Sequence, residues 1–248
     1  MTGAMVLVAH GSRDPRAAAS TRALVRAVAA ARPGLDVRAA YLEHTLPRPD
    51  QALDAMAAAG HGGATVVPLL LTAAFHGRVD LPAVLAAHAD RRPRELAVRV
   101  TDVLGPVAGQ VPPELLTALR RRLDQLGMAY DAVVLAAAGT RDATARVTVD
   151  EAAAALGGAL GVPCRAGYAT TPPDADPPVL SAGEATARLR AAGARRVVAA
   201  AYFLAPGRLY RAAADSARAA GAVAVAEPLG GAVELARLVL HRAATARP

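Results

Sequence analysis

The sequence has 248 residues, 54% of them hydrophobic, which is enough for one large domain or two domains of ordinary size, each with a real core. The formal net charge of +7 allows a polyanionic partner, but only 3% of the residues are aromatic and no zinc-finger spacing occurs, so no nucleic-acid partner is expected. The longest apolar run, near residues 66–75, is too short to span a bilayer, and the N-terminus lacks a basic region followed by an apolar one. We therefore expect a cytoplasmic protein with no membrane partner.

The first predicted element is an uninterrupted apolar strand over Met5–Ala9, which leads into His10 and a glycine turn. Such a strand is typical of a parallel sheet that is buried on both faces. Asp14 can accept a backbone N–H and Pro15 fits a first helical position, which predicts a helix over Pro15–Ala31. His10 therefore lies at the carboxyl end of the strand, the edge at which open α/β sheets bind ligands.

The remainder of the first half alternates between strands and helices. The predicted strands cover Leu35–Leu42, Ala64–Thr72 and Leu96–Val100, and the predicted helices cover Asp50–Ala59, Val79–Ala89 and Pro113–Leu126. Glu43 follows the second strand immediately, and His76 lies just past the third. The sequence thus places three polar side chains just beyond the ends of three strands.

The second half repeats the first at an offset of about 128 residues, which indicates duplicated domains over residues 1–128 and 129–248. The segment Val133–Asp142 mirrors the opening strand and turn, with glycine, hydroxyl, arginine and aspartate in the same places. The three polar positions are replaced, by Ala138 for His10, Thr170 for Glu43 and Pro206 for His76. We assign no chemistry to the second half for this reason.

Alternating strands and helices predict parallel βαβ units with helices on both faces of the sheet. Each half is predicted to be a doubly wound, mostly parallel, four-stranded α/β domain in the flavodoxin-like order 2-1-3-4. That order places the second and third strands beside the first, about 4.8 Å away, so Glu43, His10 and His76 should emerge together. Two imidazoles and a carboxylate suit a divalent transition metal, and they also suit proton transfer near neutral pH.

Three segments of the first half resemble the signature segments of the sirohydrochlorin chelatase family. They are VAHGSRDP at residues 8–15, YLE at 41–43 and LLLTAAFHG at 69–77. The family comprises class II chelatases, lyases that insert a divalent metal into a reduced tetrapyrrole, and this chain resembles its two-domain form. The resemblance implies two similar domains that face each other across a cleft holding the macrocycle.

The resemblance also implies site residues. His10 and His76 would be the catalytic pair and would bind the metal substrate, Fe²⁺ or Co²⁺, together with Glu43. The tetrapyrrole carries several carboxylates, which match guanidinium groups, so the candidate substrate-binding residues are Arg13, Arg78, Arg141 and Arg208. No organic cofactor is expected, and the product would serve sirohaem or cobalamin formation. A chain with both halves has less need to dimerise than a one-domain relative, so we expect a monomer.

Two other functions stay open at this point. A histidine phosphatase also has His-Gly after its first strand, but there an arginine precedes the histidine, where this chain has Ala9; Arg13 could substitute for it. A non-catalytic metal or tetrapyrrole carrier would use the same ligands without turnover. His44 follows Glu43 and could add a metal contact, although a role without chemistry is favoured for it.

Overall fold

The computed structural model of the protein describes residues 3–72, 85, 96–173 and 178–246. The strands within these residues are β1 (Ala4–Ala9), β2 (Asp36–Tyr41), β3 (Gly63–Pro68), β4 (Ala97–Val100), β5 (Ala132–Ala137), β6 (Cys164–Tyr168), β7 (Val197–Ala201) and β8 (Ala224–Val225). The helices are α1 (Pro15–Ala31), α2 (Pro49–Ala58), α3 (Pro113–Asp124), α4 (Ala143–Leu160), α5 (Ala182–Ala191), α6 (Arg208–Ala219) and α7 (Val233–Thr245). The predicted helix over Val79–Ala89 lies outside the described residues except at Leu85.

Both sheets have four strands and the same order. One sheet runs β2-β1-β3-β4 and the other runs β6-β5-β7-β8, and every neighbouring pair is parallel. The predicted order 2-1-3-4 is therefore confirmed in both halves, as is the α/β class. Because β1 and β5 are interior strands, the segments that follow them come out between two neighbours at the carboxyl edge of each sheet.

The sequence of β1 explains its interior position. Val6 and Val8 pack with Leu53 and Met56 of α2, while Leu7 points to the opposite face and is also fully buried. Apolar side chains at successive positions are stable only where helices cover both faces of the sheet. The residue that follows β1 is thereby held in a fixed place at the edge.

The turn after each interior strand has the same hydrogen bonds in both halves. The N–H of Asp14 donates to Ser12 Oγ at 3.1 Å, and the N–H of Asp142 donates to Thr140 Oγ1 at 3.1 Å. Each aspartate then accepts a backbone N–H from the first turn of its helix, α1 or α4. The duplication seen in the sequence is thus repeated in the local structure.

The described chain divides into two compact units whose bounds differ from those of the predicted domains. Unit 1 joins residues up to Gly105 with residues from Gly230 onward, and unit 2 is the continuous segment Pro106–Leu229. The predicted division at residue 128 follows the sequence repeat, whereas the units follow the packing of two helices. In the structure α3 packs on α4 and β7 in unit 2, and α7 packs on α1 and β3 in unit 1.

The physical reason for this difference is that an amphipathic helix specifies its apolar face but not the sheet that the face covers. An arginine in each of the two helices then binds the end of the unit to which the helix belongs. Arg242 of α7 donates to the carbonyl of Gly105 at 2.8 Å, and Arg122 of α3 donates to that of Leu229 at 3.0 Å. Among the helices of the described residues, none has both the length and the hydropathy that a membrane span needs.

The assignment of α7 to unit 1 can be tested with two substitutions in that helix. Leu235 is fully buried, whereas Val233 is 48% exposed. Leu235→Ala should lower the free energy of unfolding by about 2–5 kcal/mol through the cavity it leaves, and Val233→Ala should change it by less than about 0.5 kcal/mol. Urea denaturation followed by circular dichroism measures both, and equal losses would contradict the packing of α7.

Candidate active site

The centre of the candidate site is the junction at which β1 ends in His10. β1 is buried along almost its whole length, and exposure begins at Ala9 and His10. A partly buried imidazole at the carboxyl edge of a parallel sheet stands where ligands of this fold class bind. The structure therefore places His10 where the sequence predicted it.

Glu43 is brought beside His10 by an extension of the strand pairing between β1 and β2. The N–H of Leu42 donates to the carbonyl of Ala9 at 3.0 Å, and the N–H of Glu43 donates to the carbonyl of His10 at 2.8 Å. The pairing therefore continues to Glu43, two residues past β2, and to His10, one residue past β1. The two predicted ligands leave neighbouring backbone segments at the same edge.

This approach of the two backbones requires glycine at position 11. Gly11 has φ +94°, in the left-handed region that L side chains rarely adopt, and a Cβ built there would overlap the carbonyl oxygen of Glu43. Gly139 in unit 2 has φ +101° and stands in the same relation to the carbonyl of Thr170. The glycine thus serves both to turn the chain and to admit the neighbouring loop.

The loop that carries Glu43 has further hydrogen bonds to the β1–α1 turn. Thr45 Oγ1 donates to the carbonyl of Ser12 at 3.3 Å, and the Arg48 guanidinium donates to the carbonyl of Leu42. Neither residue was identified from the sequence, because a threonine or an arginine in a polar loop carries no periodic signal. Both residues fix the position of Glu43 through backbone carbonyl groups.

His44, the next residue, contacts the carboxylate beside it. Its Nε2 lies 3.3 Å from Glu43 Oε2, with the two side chains 37% and 50% exposed. His44 is one of two non-glycine residues with positive φ in the described chain, at φ 60°. The sequence favoured no chemical role for it, and adjacency in sequence alone gave no sign of the contact.

His61 is excluded from the site by its position at the opposite, amino edge of the sheet. The N–H groups of Gly60 and His61 donate to the carbonyls of Ala57 and Met56, the pattern of a Schellman helix end, as its glycine neighbours predicted. Its Nε2 lies 3.1 Å from Asp36 Oδ2.

Asp36 is already paired with a cation. Its two carboxylate oxygens accept bonds from the Arg38 guanidinium at 2.7 and 3.2 Å. The Arg38 bonds hold the pKa of this carboxyl below its ordinary value. The pair of His61 and Asp36 is therefore a neutralised structural contact.

The described arginine candidates are exposed residues near the carboxyl edges of the two sheets. Arg13 lies in the turn after β1, Arg141 in the turn after β5, and Arg208 is the first residue of α6. In unit 2 the Arg146 guanidinium donates to the carbonyls of Thr140 and Arg141 at 3.1 and 2.9 Å, which fixes the backbone that carries Arg141. His76 and Arg78 lie outside the described residues.

Unit 2 keeps this scaffold without its ligands. Ala138 takes the place of His10, and Thr170 uses its hydroxyl to donate to the Ala138 carbonyl at 3.1 Å. Burial raises the pKa of the Cys164 thiol in β6 to about 12, so it stays protonated at neutral pH and is a poor metal ligand. At the carboxyl edge of unit 2, Ala138 and Thr170 offer no imidazole or carboxylate in place of those of His10 and Glu43.

Within residues 3–72, 85, 96–173 and 178–246, no group of three or more His, Cys, Asp or Glu side chains is arranged to hold a metal ion. The pair of His10 and Glu43 supplies one nitrogen and one carboxylate donor. The third ligand predicted from the sequence, His76, lies outside these ranges.

A model of the CbiX family matches residues 4–126 and again residues 132–246. The structure of SirB from Bacillus subtilis with Fe³⁺ has a TM-score of 0.81 and 22% identity, covering 98% of this chain and 95% of that one. The sirohydrochlorin chelatase SirB from Bacillus subtilis subspecies spizizenii, in complex with cobalt, has a TM-score of 0.77 and 20% identity, covering 98% and 94%. A comparison with curated protein sequences gave no match.

A third structure extends the likeness to a larger protein. DR2241 from Deinococcus radiodurans, a multi-domain protein with structural similarity to chelatases, has a TM-score of 0.67 and 20% identity, covering 98% of this chain and 55% of that one. These likenesses confirm the fold of two similar α/β domains. The family match bears out the resemblance seen in the three segments of the first half.

The requirement for glycine at the His10 junction gives a testable expectation. Gly11→Ala should lower the unfolding free energy by more than the roughly 1 kcal/mol of left-handed strain, because its methyl group also displaces the Glu43 carbonyl. Gly34 provides the control, since it has φ +83° with nothing within 4 Å of a built Cβ. Thermal denaturation of both variants measures the difference, and a Gly34→Ala loss as large as that of Gly11→Ala would refute the steric account.

Proposed function

Because this chain belongs to the CbiX family, we propose that it is a chelatase that inserts a divalent metal ion, Fe²⁺ or Co²⁺, into sirohydrochlorin. The observation that carries the proposal is the 2.8 Å hydrogen bond from the Glu43 amide to the His10 carbonyl, which makes the residues that carry an imidazole and a carboxylate neighbours at the edge of unit 1. These two donors suit the metals named in the descriptions of the SirB structures, Fe³⁺ and cobalt.

Metal insertion sets two chemical tasks for these side chains. The metal must exchange bound water for pyrrole nitrogens, and two pyrrole N–H groups must each lose a proton. An incomplete shell of His10, His76 and Glu43 leaves positions on the metal open to the macrocycle, and a neutral imidazole can accept a pyrrole proton. We propose His10 and His76 as the catalytic pair and Glu43 as the third metal ligand.

Ligand identity does not choose the metal. Nitrogen and oxygen donors follow the Irving–Williams order with any physiological metal, so these ligands do not distinguish an iron product, sirohaem, from a cobalt product, cobalamin. We propose no organic cofactor, because the metal is a substrate and the exchange needs no electron carrier. A cytoplasmic location and a monomeric state stay predictions.

The arginines are proposed to anchor the substrate carboxylates. Arg13 in unit 1 and Arg141 and Arg208 in unit 2 are exposed, and each lies close in sequence to the end of an interior strand or the start of a helix at the carboxyl edge. Guanidinium groups bind carboxylates through two parallel hydrogen bonds, which fixes orientation as well as position. Arg78 belongs to the same proposal on the sequence alone.

The role of the metal ligands is tested by mixing enzyme, sirohydrochlorin and Co²⁺ or Fe²⁺ and following the absorbance spectrum. His10→Ala should lower the insertion rate by about 100-fold or more, because it removes both a metal ligand and a proton acceptor. Glu43→Gln should also slow insertion, since the amide is a weaker ligand than the carboxylate. His61→Ala, at the opposite edge, should insert at the wild-type rate.

Full activity of His10→Ala would refute the assignment of this site. A stoichiometric spectral change that never exceeds one tetrapyrrole per protein would identify a carrier instead of an enzyme. Release of phosphate from a generic phosphate ester at a rate that depends on His10 would favour a histidine-phosphatase function.

The anchoring role of Arg141 has a separate readout. Arg141→Ala should raise the KM for sirohydrochlorin by about tenfold, the loss expected for a hydrogen bond to a charged group, and its effect should shrink at high salt. Arg195→Ala removes the same charge from an exposed position near the amino end of β7 and should leave KM unchanged. Equal effects of the two substitutions would indicate a general charge effect instead of a specific contact.

A further inference from the structure

The backbone at His44 is unusual for a residue next to a carboxylate ligand. Its φ of 60° is in the left-handed region, which carries a steric penalty for any residue with a Cβ, although histidine, asparagine and aspartate adopt it more often than others. His44 is held in this conformation in a loop that is hydrogen-bonded at both ends to the β1–α1 turn, so the surrounding structure imposes the left-handed backbone.

The His44 imidazole lies against the Glu43 carboxylate, with Nε2 at 3.3 Å from Oε2. Both groups are open to solvent, at 37% and 50% exposure, whereas His10 beside them is partly buried. Within the described part of the chain, no guanidinium pairs with Glu43, since Arg48 bonds the Leu42 carbonyl instead. An exposed carboxylate and an exposed imidazole thus lie together in the loop that is hydrogen-bonded to the His10 backbone.

The pair of His61 and Asp36 shows what a purely structural contact of this kind looks like in the same unit. There the imidazole is 11% exposed, and the carboxylate already accepts two bonds from Arg38. The Glu43–His44 pair has neither feature. Its carboxylate charge is available for a cation, and its imidazole is reachable from water.

We propose that Glu43 and His44 capture the hydrated divalent metal substrate at the surface, before it passes to His10. This inference rests on the chelatase function proposed above and adds a metal-binding residue that the chelatase resemblance does not supply. In the capture step the metal exchanges two water ligands for His44 Nε2 and one Glu43 carboxylate oxygen, with no change of oxidation state. Glu43 then stays bound while His10 replaces His44, so that the metal never returns to a fully hydrated state.

Capture predicts a separation between metal affinity and turnover. Removal of the His44 nitrogen weakens the first complex but leaves the final ligands unchanged. The KM for the metal should therefore rise while kcat at saturating metal stays the same. If His44 had only a structural role in the loop, its substitution would change kcat as well, because Glu43 would move.

The variant that isolates the imidazole is His44→Asn. Asparagine tolerates the left-handed backbone and can still donate a hydrogen bond to the Glu43 carboxylate, but its amide is a poor transition-metal ligand. His61→Asn is the matched control, because it makes the same chemical change in the other histidine–carboxylate pair. Both variants keep the full chain and the predicted ligands His10 and His76.

The measurement is the KM for Co²⁺ and the kcat at saturating sirohydrochlorin, together with titration of each protein with Co²⁺ alone. His44→Asn should raise the KM and the dissociation constant for Co²⁺ by about tenfold or more, with kcat within about twofold of wild type. His61→Asn should match wild type in all three. A Co²⁺ affinity of His44→Asn equal to wild type, or an equal loss in His61→Asn, would overturn capture.

The two proposals fail differently in this experiment. If His10→Ala abolishes insertion while His44→Asn leaves the KM for Co²⁺ unchanged, the chelatase function stands and capture is refuted. If the wild-type protein inserts no metal, the chelatase function is refuted, and the titration with Co²⁺ alone still decides whether His44 binds the metal.

Discussion

The contact between the carbonyl of His10 and the amide of Glu43 is the interaction on which the candidate site depends. It exists because the pairing of β1 with β2 continues past both strands, and because Gly11 presents no Cβ to the incoming loop. A hydrogen bond between two backbone groups is insensitive to the side chains on either residue. It can therefore hold two reactive side chains at one edge without constraining their chemistry.

Unit 2 supports this separation of scaffold and chemistry. The amide of Thr170 donates to the carbonyl of Ala138 at 3.2 Å, and Gly139 has the same left-handed conformation as Gly11. The tyrosines of β2 and β6 also correspond, since Tyr41 and Tyr168 are both buried and both donate to a carbonyl in the first turn of the preceding helix. Unit 2 therefore has the same backbone junction without the histidine and the glutamate.

Much of the fold follows from the sequence because local patterns and global packing agree in it. The apolar run of β1, the cap at Asp14 and the alternation of strands and helices predict the elements, and chain topology then predicts the order in both sheets. The sequence predicts a strand as far as Thr72, but β3 ends at Pro68. The apolar run continues to Leu71, and composition cannot separate the two because buried loop residues are as apolar as strand residues. The contact of His44 with Glu43 depends on one backbone angle, which no periodicity encodes.

The helix α7, which completes unit 1, follows the whole of unit 2 in the sequence and is therefore synthesised after it. Unit 2 is continuous in sequence, so all of its residues have been translated when the ribosome reaches Leu229, whereas α1 and β3 still lack the helix that covers them. Domains generally fold as units from the N-terminus. Here the first sheet to be translated is the second to receive all of the helices that cover it. A nascent chain therefore carries an uncovered apolar surface on the half that holds His10 for the time needed to translate more than a hundred further residues. Protection by chaperones during translation would matter most for that half, and a polypeptide released early would lack a finished site although His10 and Glu43 had already been translated.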